Sequence, residues 1–323
     1  MSLAYTQIAP RTLYIHDHDN TEFLDESFAL IQSGDVKLGM MLLGEGLYEL
    51  YMSTGSGEWD KLVKEVLLQH PLRTYLMQDP LTARSFNRPR GYAGDAKLLD
   101  MVYFPESLGK ARISKLGRQV FRYTSRTSLS HALIQRIKLI AAIIDENSNE
   151  SGDLKILSVA SGHCREAEFS NAIKTGSFNR FVAIDHDSRS LDLVNQHYSS
   201  INIETVCESV TSLIRDNAAF GKFDLIYSAG LYDYLSNRFA QKLTSNLFDM
   251  LSPGGKLVLM NIDTDYKEIG YMESFMNWSM IGRNALDLLE LAGGLDTNEH
   301  ADLKIREGEG TLSHFNVLEI TKT

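Results

Sequence analysis

A turn at residues 160–164, between an apolar segment and a polar one, has the residue types of a nucleotide-binding loop. The segment LKILSVASGHCREAEFS, residues 154–170, contains one glycine, Gly162, where dinucleotide-binding turns carry two or three. Those glycines let the backbone approach a pyrophosphate at a helix N-terminus. Here Glu166 and Glu168 place negative charge where that phosphate would lie. The turn therefore predicts a nucleoside ligand without phosphate.

An acidic residue ends the next apolar run, FVAIDHD, at Asp185. In a parallel sheet, ligands bind beyond the carboxyl ends of the strands, and an acidic side chain there accepts hydrogen bonds from ribose hydroxyls. A ligand with a ribose and a cationic centre fits both features, and S-adenosyl-L-methionine (SAM) is such a molecule. The cofactor contacts predicted at these two turns are Ala160, Ser161, Gly162, Asp185 and His186. Asp185 as a helix N-cap is the alternative.

Polar and aromatic residues also follow the next two apolar runs. Glu208 and Ser209 are predicted near the adenine, with a solvated loop as the alternative. Ala229 and Gly230, which follow the apolar run that ends at Ser228, are predicted to border the cofactor. Aromatic faces attract desolvated cations, so the adjacent tyrosines are predicted to face the sulfonium, with core packing as the alternative. The residues concerned are Tyr232 and Tyr234, and between them Asp233 is a candidate base or a helix cap.

The irregular stretch NRPRGYAGD, residues 87–95, suits a loop that closes over a ligand. Arg88 or Arg90 would clamp a carboxylate, since a guanidinium pairs with it through two hydrogen bonds. Tyr92 would cover the methionine part of the cofactor, and Asp95 would take an amino group or a proton. An interdomain turn is the alternative reading. On the far side, Trp278 and Arg283 line the pocket or belong to a helix packed on the sheet.

The elements that must position these residues change in character near residue 150. Residues 25–144 contain apolar residues at helical spacing, interrupted at Gly34, Gly39 and Pro71. After the polar stretch 145–153, β-rich runs alternate with helix-like segments. The pattern predicts an α/β fold with a Rossmann-like, doubly wound, seven-stranded sheet and a terminal antiparallel hairpin around Gly308-Glu309-Gly310. We expect a helical N-terminal lid domain over residues 1–150 and a SAM-binding domain over residues 151–323.

Composition narrows the class of partner. The 323 residues carry a formal charge of −10, which argues against a general nucleic-acid surface. No apolar run is long enough to span a membrane, and the first twenty residues lack a signal-peptide core, so we expect a cytoplasmic protein without a membrane span. The partner is then a small-molecule substrate. Neither the two cysteines nor the pair His16 and His18 has the spacing of a complete metal site, and none is predicted.

Several motifs resemble those of class I SAM-dependent methyltransferases: ILSVASGHCRE, AIDHD and LSPGGKLVLMNI. The stretches RPRGYAGDAKLLDMVY, YSAGLYDYLSNR and MESFMNWSMIGR resemble the bacterial 3-hydroxypalmitate methyl ester synthases and the related azetidine-2-carboxylate synthases. Departures from the superfamily pattern are Ser158, Ala160 and Cys164. The resemblance covers residues 80–323 and implies methyl transfer to a small-molecule carboxylate or hydroxyl.

Two other functions fit the same motifs. In the first, the α-amino group of SAM attacks its own γ-carbon, which closes a four-membered ring and releases methylthioadenosine. In the second, the protein is a non-catalytic scaffold that binds SAM, as the loss of two glycines from the first motif would permit.

Overall fold

The first part of the chain is helical, and the second part alternates strands with helices. The computed structural model describes residues 21–110, 112–149, 152–215, 217–295, 301–306 and 314–323. Helices occupy the first part: α1 Glu22–Ser33, α2 Val36–Ser53, α3 Ser56–Glu65, α4 Leu72–Leu76, α5 Pro80–Asn87, α6 Ala96–Tyr103, α7 Lys115–Thr124 and α8 Ser128–Asn147. Helices α9 Asn171–Thr175, α10 Ser188–His197, α11 Val210–Arg215, α12 Asn237–Asp249, α13 Ile269–Ser274 and α14 Ala285–Glu290 lie among or after the strands. Short 3₁₀ turns occupy Leu67–Gln69, Pro105–Lys110, Arg165–Glu168, Asn217–Phe220 and Tyr232–Tyr234.

The strands form one sheet in the order β3-β2-β1-β4-β5-β7-β6. Their bounds are β1 Lys155–Val159, β2 Arg180–Asp185, β3 Ile203–Cys207, β4 Phe223–Ser228, β5 Leu251–Ile262, β6 Ala301–Arg306 and β7 Phe315–Lys322. Strands β1 to β5 are parallel, and β7 runs antiparallel between β5 and β6. The order reverses between β1 and β4, which creates the crevice where such sheets bind ligands. The predicted Rossmann-like fold with antiparallel terminal strands is confirmed.

Glycines act differently at the two predicted interruptions of the first helical stretch. Gly34 ends α1 with a left-handed φ of 98°, which a side chain would disfavour. Gly39 lies inside α2 and does not interrupt it. A Cβ at Gly39 would lie 2.8 Å from the carbonyl oxygen of Ser27, so this glycine lets α1 and α2 pack closely. Helix breaking was therefore the wrong interpretation of Gly39.

The hydrophobic core around the first eight helices includes side chains from much later in the chain. Buried residues of that core lie between Ile262 and Trp278, and Phe315 of β7 joins them. Helix α13 packs on α2 at Gly270, where an added Cβ would overlap the carbonyl oxygen of Leu47. The chain passes from α8 to β1 through residues 148–154, but the core does not divide there. The two-domain division at residue 150 stays a prediction.

Two further findings concern the described residues alone. None of their helices is by itself long and apolar enough to cross a membrane, whereas α7 and α8, bent by 61°, together pass that test of length and composition. No three His, Cys, Asp or Glu side chains in the described part of the chain are grouped as metal ligands would be. The pair His16 and His18 and the turn at residues 308–310 lie outside the described residues.

Gly270→Ala tests the close contact between α13 and α2. The added methyl has no space beside the Leu47 backbone, so we expect a loss of about 1–3 kcal/mol in the free energy of unfolding. Gly57→Ala is the matched control, because a Cβ there meets no atom within 4 Å and the position is helical. Urea denaturation measures both variants, and equal stability of the two would contradict the packing described.

Candidate active site

The carboxyl ends of β1, β2 and β4 border a cavity of about 570 Å³. The 88–95 loop, helices α6 and α8, residues 278–280 and Phe315 also contribute to its wall. Among the predicted catalytic and ligand-binding residues, the wall contains Arg88, Tyr92, Ala160, Ser161, Gly162, Asp185, His186, Ser209, Ala229, Gly230, Asp233 and Tyr234. The wall does not include Arg90, Asp95, Glu208 or Tyr232. Most of the predicted set is thus brought together at the predicted edge of the sheet.

The turn after β1 adopts the backbone of a three-glycine loop with one glycine. Ala160, Gly162 and Cys164 have φ values of 56°, 55° and 50°, all in the left-handed region. Non-glycine residues enter that region at a cost, and such strain persists only where the surroundings hold it. Burial also raises the pKa of the Cys164 thiol well above its ordinary value, so this residue is an inert packing group.

Asp185 connects the turns after β1 and β2. Its Oδ2 accepts a hydrogen bond of 2.8 Å from the backbone N–H of Gly162, and its Oδ1 accepts one of 2.9 Å from that of Asp187. Its carboxylate lines the cavity and retains further lone pairs on both oxygens. In the next turn, Glu208 and Ser209 are both exposed, and Ser209 reaches the wall. The contact predicted between Glu208 and the adenine stays a prediction.

Arg90 fastens the 88–95 loop to the sheet domain instead of facing the cavity. Its Nη1 donates to Ser190 Oγ at 2.8 Å, lies 3.3 Å from Asp187 Oδ2 and lies 3.3 Å from His163 Nε2. These partners occupy Nη1 of the guanidinium group that was predicted to clamp a ligand carboxylate. Because the charge of Arg90 is paired within the protein and the residue lies outside the cavity wall, the structure does not favour the predicted ligand contact.

Tyr92 shares the same anchor and also reaches the cavity. Its hydroxyl donates to Asp187 Oδ2 at 3.1 Å, and its ring centroid lies 4.9 Å from that of His186. Burial, together with the carboxylates of Asp185 and Asp187, raises the pKa of Tyr92 to about 12. The phenol therefore keeps its proton at neutral pH and offers a ring face, not a base.

Asp95 caps a helix. Its Oδ1 accepts hydrogen bonds from the backbone N–H groups of Lys97 and Leu98 at 2.9 and 3.1 Å. Arg84 Nη2 donates to the same oxygen at 2.9 Å, and the residue is almost completely buried. An N-cap at the start of α6 satisfies backbone donors that the helix leaves open. The catalytic prediction for Asp95 is corrected to this structural one.

The 3₁₀ turn after β4 sends its two tyrosines in different directions. Tyr232 is fully buried and its hydroxyl lies 3.0 Å from Thr244 Oγ1, away from the cavity. Tyr234 lines the cavity and accepts a 2.7 Å hydrogen bond from Trp278 Nε1. A 3₁₀ helix has three residues per turn, so side chains two positions apart point in directions about 120° apart and the two rings do not share one face. The prediction that Tyr232 faces the sulfonium is corrected because its ring is buried outside the cavity wall, whereas Tyr234 belongs to that wall.

Asp233 lies between these tyrosines with one free carboxylate oxygen. Its Oδ1 accepts a 2.7 Å hydrogen bond from the backbone N–H of Ile262. Its Oδ2 lies 3.9 Å from Arg136 Nη1, beyond hydrogen-bond distance. Burial raises the pKa of Asp233 to about 6, although the positive charges of Arg136 and Arg283 oppose that shift. Asp233 thus titrates close to neutral pH in the cavity wall.

Two other predicted arginines are bound to carbonyl groups. Arg88 donates through Nη2 to the side-chain oxygen of Asn277 at 2.9 Å and also to its main-chain carbonyl. Arg283 is almost fully buried and donates to the carbonyl oxygens of Tyr232 and Leu235. Arg283 therefore holds the turn after β4 and does not line the pocket.

Sequence reasoning missed the charged wall residues Arg136 and Arg165, and it interpreted Glu166 only as a charge that would repel a phosphate. Arg136 interrupts the apolar stripe of α8 between Leu133 and Ile140, and an arginine on the buried face of a helix is the signal that marks it. Glu166 is hydrogen-bonded by the Tyr227 hydroxyl, and burial raises its pKa. Only the fold shows that these groups meet.

A second cavity of about 960 Å³ lies among α2, α7, α8 and α13. Leu129, Leu133 and Trp278 line both cavities, so the two spaces adjoin at these apolar side chains. Trp278 was predicted to line the far side of the pocket, and it lies there.

Comparison with known proteins agrees with this geometry. Residues 156–255, about a third of the 323-residue chain, match the family model described as a methyltransferase domain. No curated protein matches the chain. A methyltransferase domain is consistent with SAM, the cofactor expected from the sequence.

Solved structures share the fold at low sequence identity. A possible exported protein from Bordetella parapertussis is 14% identical, covers 83% of this chain and 96% of its own, and has a TM-score of 0.56. A TehB-like SAM-dependent methyltransferase from Corynebacterium glutamicum is 20% identical, covers 61% and 98%, and scores 0.41. Magnesium protoporphyrin IX methyltransferase from Synechocystis, with bound S-adenosylhomocysteine, is 11% identical, covers 76% and 100%, and scores 0.47.

At these identities the structural likeness concerns the fold, and the reaction is left open. The sheet order, the turn after β1 and the family match agree with one another. Residues 156–255 therefore match a methyltransferase domain, and they lie within a Rossmann-like fold.

Proposed function

We propose that this protein is a SAM-dependent methyltransferase that acts on a carboxylate or hydroxyl group of a small molecule. The observation that carries the proposal is the cavity at the ends of β1, β2 and β4, with Gly162 and Asp185 in its wall. It adjoins a second and largely separate space at Trp278. One cavity suits the cofactor and the other suits the acceptor.

The chemistry of the wall fits a cationic nucleoside better than a phosphate. Asp185, Asp233 and Glu166 all present carboxyl groups there, which would repel a phosphate. Asp185 is placed for ribose hydroxyl groups at the end of β2. The ring of Tyr234 offers the face that attracts a desolvated cation. Together these residues would hold the ribose and the methionine part of SAM.

The protein's contribution to the reaction is placement and proton handling. Bound SAM supplies an electrophilic methyl group on a positively charged sulfur. A carboxylate acceptor is already ionised, so orientation within a dry cavity is what the protein must provide. For a hydroxyl acceptor, Oδ2 of Asp233 is the group able to take the proton, because its pKa of about 6 leaves it ionised at neutral pH.

Product analysis tests the proposal. The purified protein is incubated with SAM alone and with SAM plus panels of small carboxylic acids and alcohols, and the products are identified by mass spectrometry. Methyl transfer gives S-adenosylhomocysteine and a methylated product only when an acceptor is present. Methylthioadenosine without an acceptor would instead show cyclisation of SAM, and no turnover with retained binding would show a scaffold.

Asp185→Ala removes the predicted ribose contact. We expect SAM affinity to fall by about 1.5–3 kcal/mol, the range for hydrogen bonds to a charged group. Calorimetric titration with SAM measures the loss. The control is Asp192→Ala, because this exposed carboxylate of α10 lies outside the cavity wall and its loss should leave the affinity at the wild-type value. Unchanged affinity in a folded Asp185→Ala protein would remove Asp185 from the site.

Gly94→Ala tests whether the 88–95 loop must seat on the cavity wall. A Cβ at Gly94 would lie 2.5 Å from Tyr234 Oη and 2.8 Å from the Trp278 ring. We expect at least about a tenfold loss of S-adenosylhomocysteine affinity, since the loop would be lifted by overpacking. Gly91→Ala is the matched control: Gly91 and Gly94 have φ values of 90° and 66°, but a Cβ at Gly91 meets nothing within 4 Å. Equal losses would assign the effect to backbone strain.

Variants of the two tyrosines after β4 test which ring contacts the sulfonium of SAM. A cation–π contact should make SAM bind more tightly than S-adenosylhomocysteine by roughly 0.5–2 kcal/mol. Tyr234→Leu should reduce this difference in binding free energy, and Tyr234→Phe should keep it. Tyr232→Leu should lower the melting temperature and leave the preference intact, because that ring is buried away from the cavity. A changed preference in Tyr232→Leu alone would reverse the assignment.

A further inference from the structure

Arg136 is a buried cation whose donors are only partly used. Its residue is 4% exposed, and its side chain forms part of the cavity wall. Its Nε has no hydrogen-bond partner among the described residues. Its Nη2 makes one long hydrogen bond, 3.4 Å, to the hydroxyl of Tyr103. A guanidinium has five N–H donors, and a buried charge without full pairing is costly.

The nearby carboxyl groups do not complete its coordination. Asp233 Oδ2 stays 3.9 Å from Nη1, and the other oxygen of Asp233 is used by the Ile262 backbone. Glu166 interacts with Arg136 through charge, but its hydrogen bond comes from Tyr227. Internal pairing therefore leaves the edge of the guanidinium available.

The surroundings hold that edge in a fixed position. The ring of Phe315 lies under the guanidinium, with the Arg136 Cζ atom 4.8 Å from the ring centroid. Gly230 gives it room on another side, since a Cβ there would lie 3.3 Å from Nη1. A planar, stacked guanidinium is pre-organised for a planar anion that accepts two parallel hydrogen bonds.

We propose that Arg136 is the carboxylate-binding residue of this cavity. A single-charged carboxylate matches the fork of the guanidinium, whereas a phosphate dianion would also meet the negative charges of Asp233 and Glu166. Two carboxylates can enter the cavity if the proposed function holds: that of the methionine part of SAM and that of an acceptor. The inference rests on the proposed function only for these two sources, and the recognition chemistry is the same for both.

The test compares ligands that differ by the carboxylate alone. The first pair is S-adenosylhomocysteine and its decarboxylated analogue. The second pair is octanoate and 1-octanol, added to protein saturated with S-adenosylhomocysteine and also to free protein. Binding of each probe is measured by calorimetry to the wild type, Arg136→Met and Arg136→Lys. Arg180→Met is the control, because that arginine pairs with Glu204 at the amino end of β2, away from the cavity.

We expect Arg136→Met to weaken one carboxylate probe by about 10- to 100-fold and to leave its uncharged or decarboxylated partner unchanged. Arg136→Lys should recover part of that loss, since it keeps the charge and loses the fork. Loss confined to S-adenosylhomocysteine identifies the cofactor as the source, and loss confined to octanoate identifies the acceptor.

Other outcomes overturn the proposal. It fails if Arg136→Met changes both members of a pair equally, or changes neither, or if the wild type distinguishes neither pair. Should Arg136→Met not fold, the same comparison is made with Arg136→Lys, where an unchanged preference for the carboxylate probe contradicts bidentate binding. The proposed function has a separate test, because it fails if the wild type binds no S-adenosylhomocysteine. In that case, octanoate binding to the free protein still tests whether Arg136 binds a carboxylate.

Discussion

The carboxylate of Asp185 is the constraint on which the rest of the site depends. It holds the backbone of Gly162 on one side and that of Asp187 on the other. Left-handed geometry at Ala160 and Cys164 costs on the order of 1–3 kcal/mol each. A hydrogen bond to a charged acceptor contributes about 1.5–3 kcal/mol, so the bond from Gly162 offsets part of that strain. Asp185 thus helps to hold the left-handed turn after β1.

Its neighbour Asp187 extends the same corner to the helical part of the molecule. Asp187 receives the Tyr92 hydroxyl and faces the guanidinium of Arg90, so the 88–95 loop is attached to the end of β2. The other end of the loop rests on Tyr234 and Trp278 through the bare backbone of Gly94. Within the 88–95 loop, residues that line the cavity therefore alternate with residues that attach the loop to the sheet.

The fold was readable from the sequence because parallel strands buried on both faces are apolar throughout. The predicted β-rich runs after residue 153 correspond to strands of the sheet, and Asp185 was identified because it ends β2. The directions of the side chains could not be predicted from the sequence as well as the fold could. Tyr232 and Tyr234 are equivalent in a motif, and only the 3₁₀ turn separates them. Arg90 was assigned to a ligand because its partners come from a distant segment.

Arg136, in contrast, was overlooked in the sequence although it lies in the cavity wall, and its charge affects which ligand the cavity favours. Three carboxyl groups share the wall with the guanidinium groups of Arg88, Arg136 and Arg165, so the cavity has negative and positive regions. Asp233 illustrates the balance: its pKa stays raised to about 6 even with Arg136 3.9 Å away, so burial outweighs that attraction. A cationic group placed beside Asp233 would favour its ionised form, and by linkage the ionised form would bind that cation more tightly. An anion in the same position would have the reverse effect, and it gains only where Arg136 supplies donors. The wall therefore favours a ligand that carries both charges, with its cation toward the carboxyl groups and its anion toward the arginine.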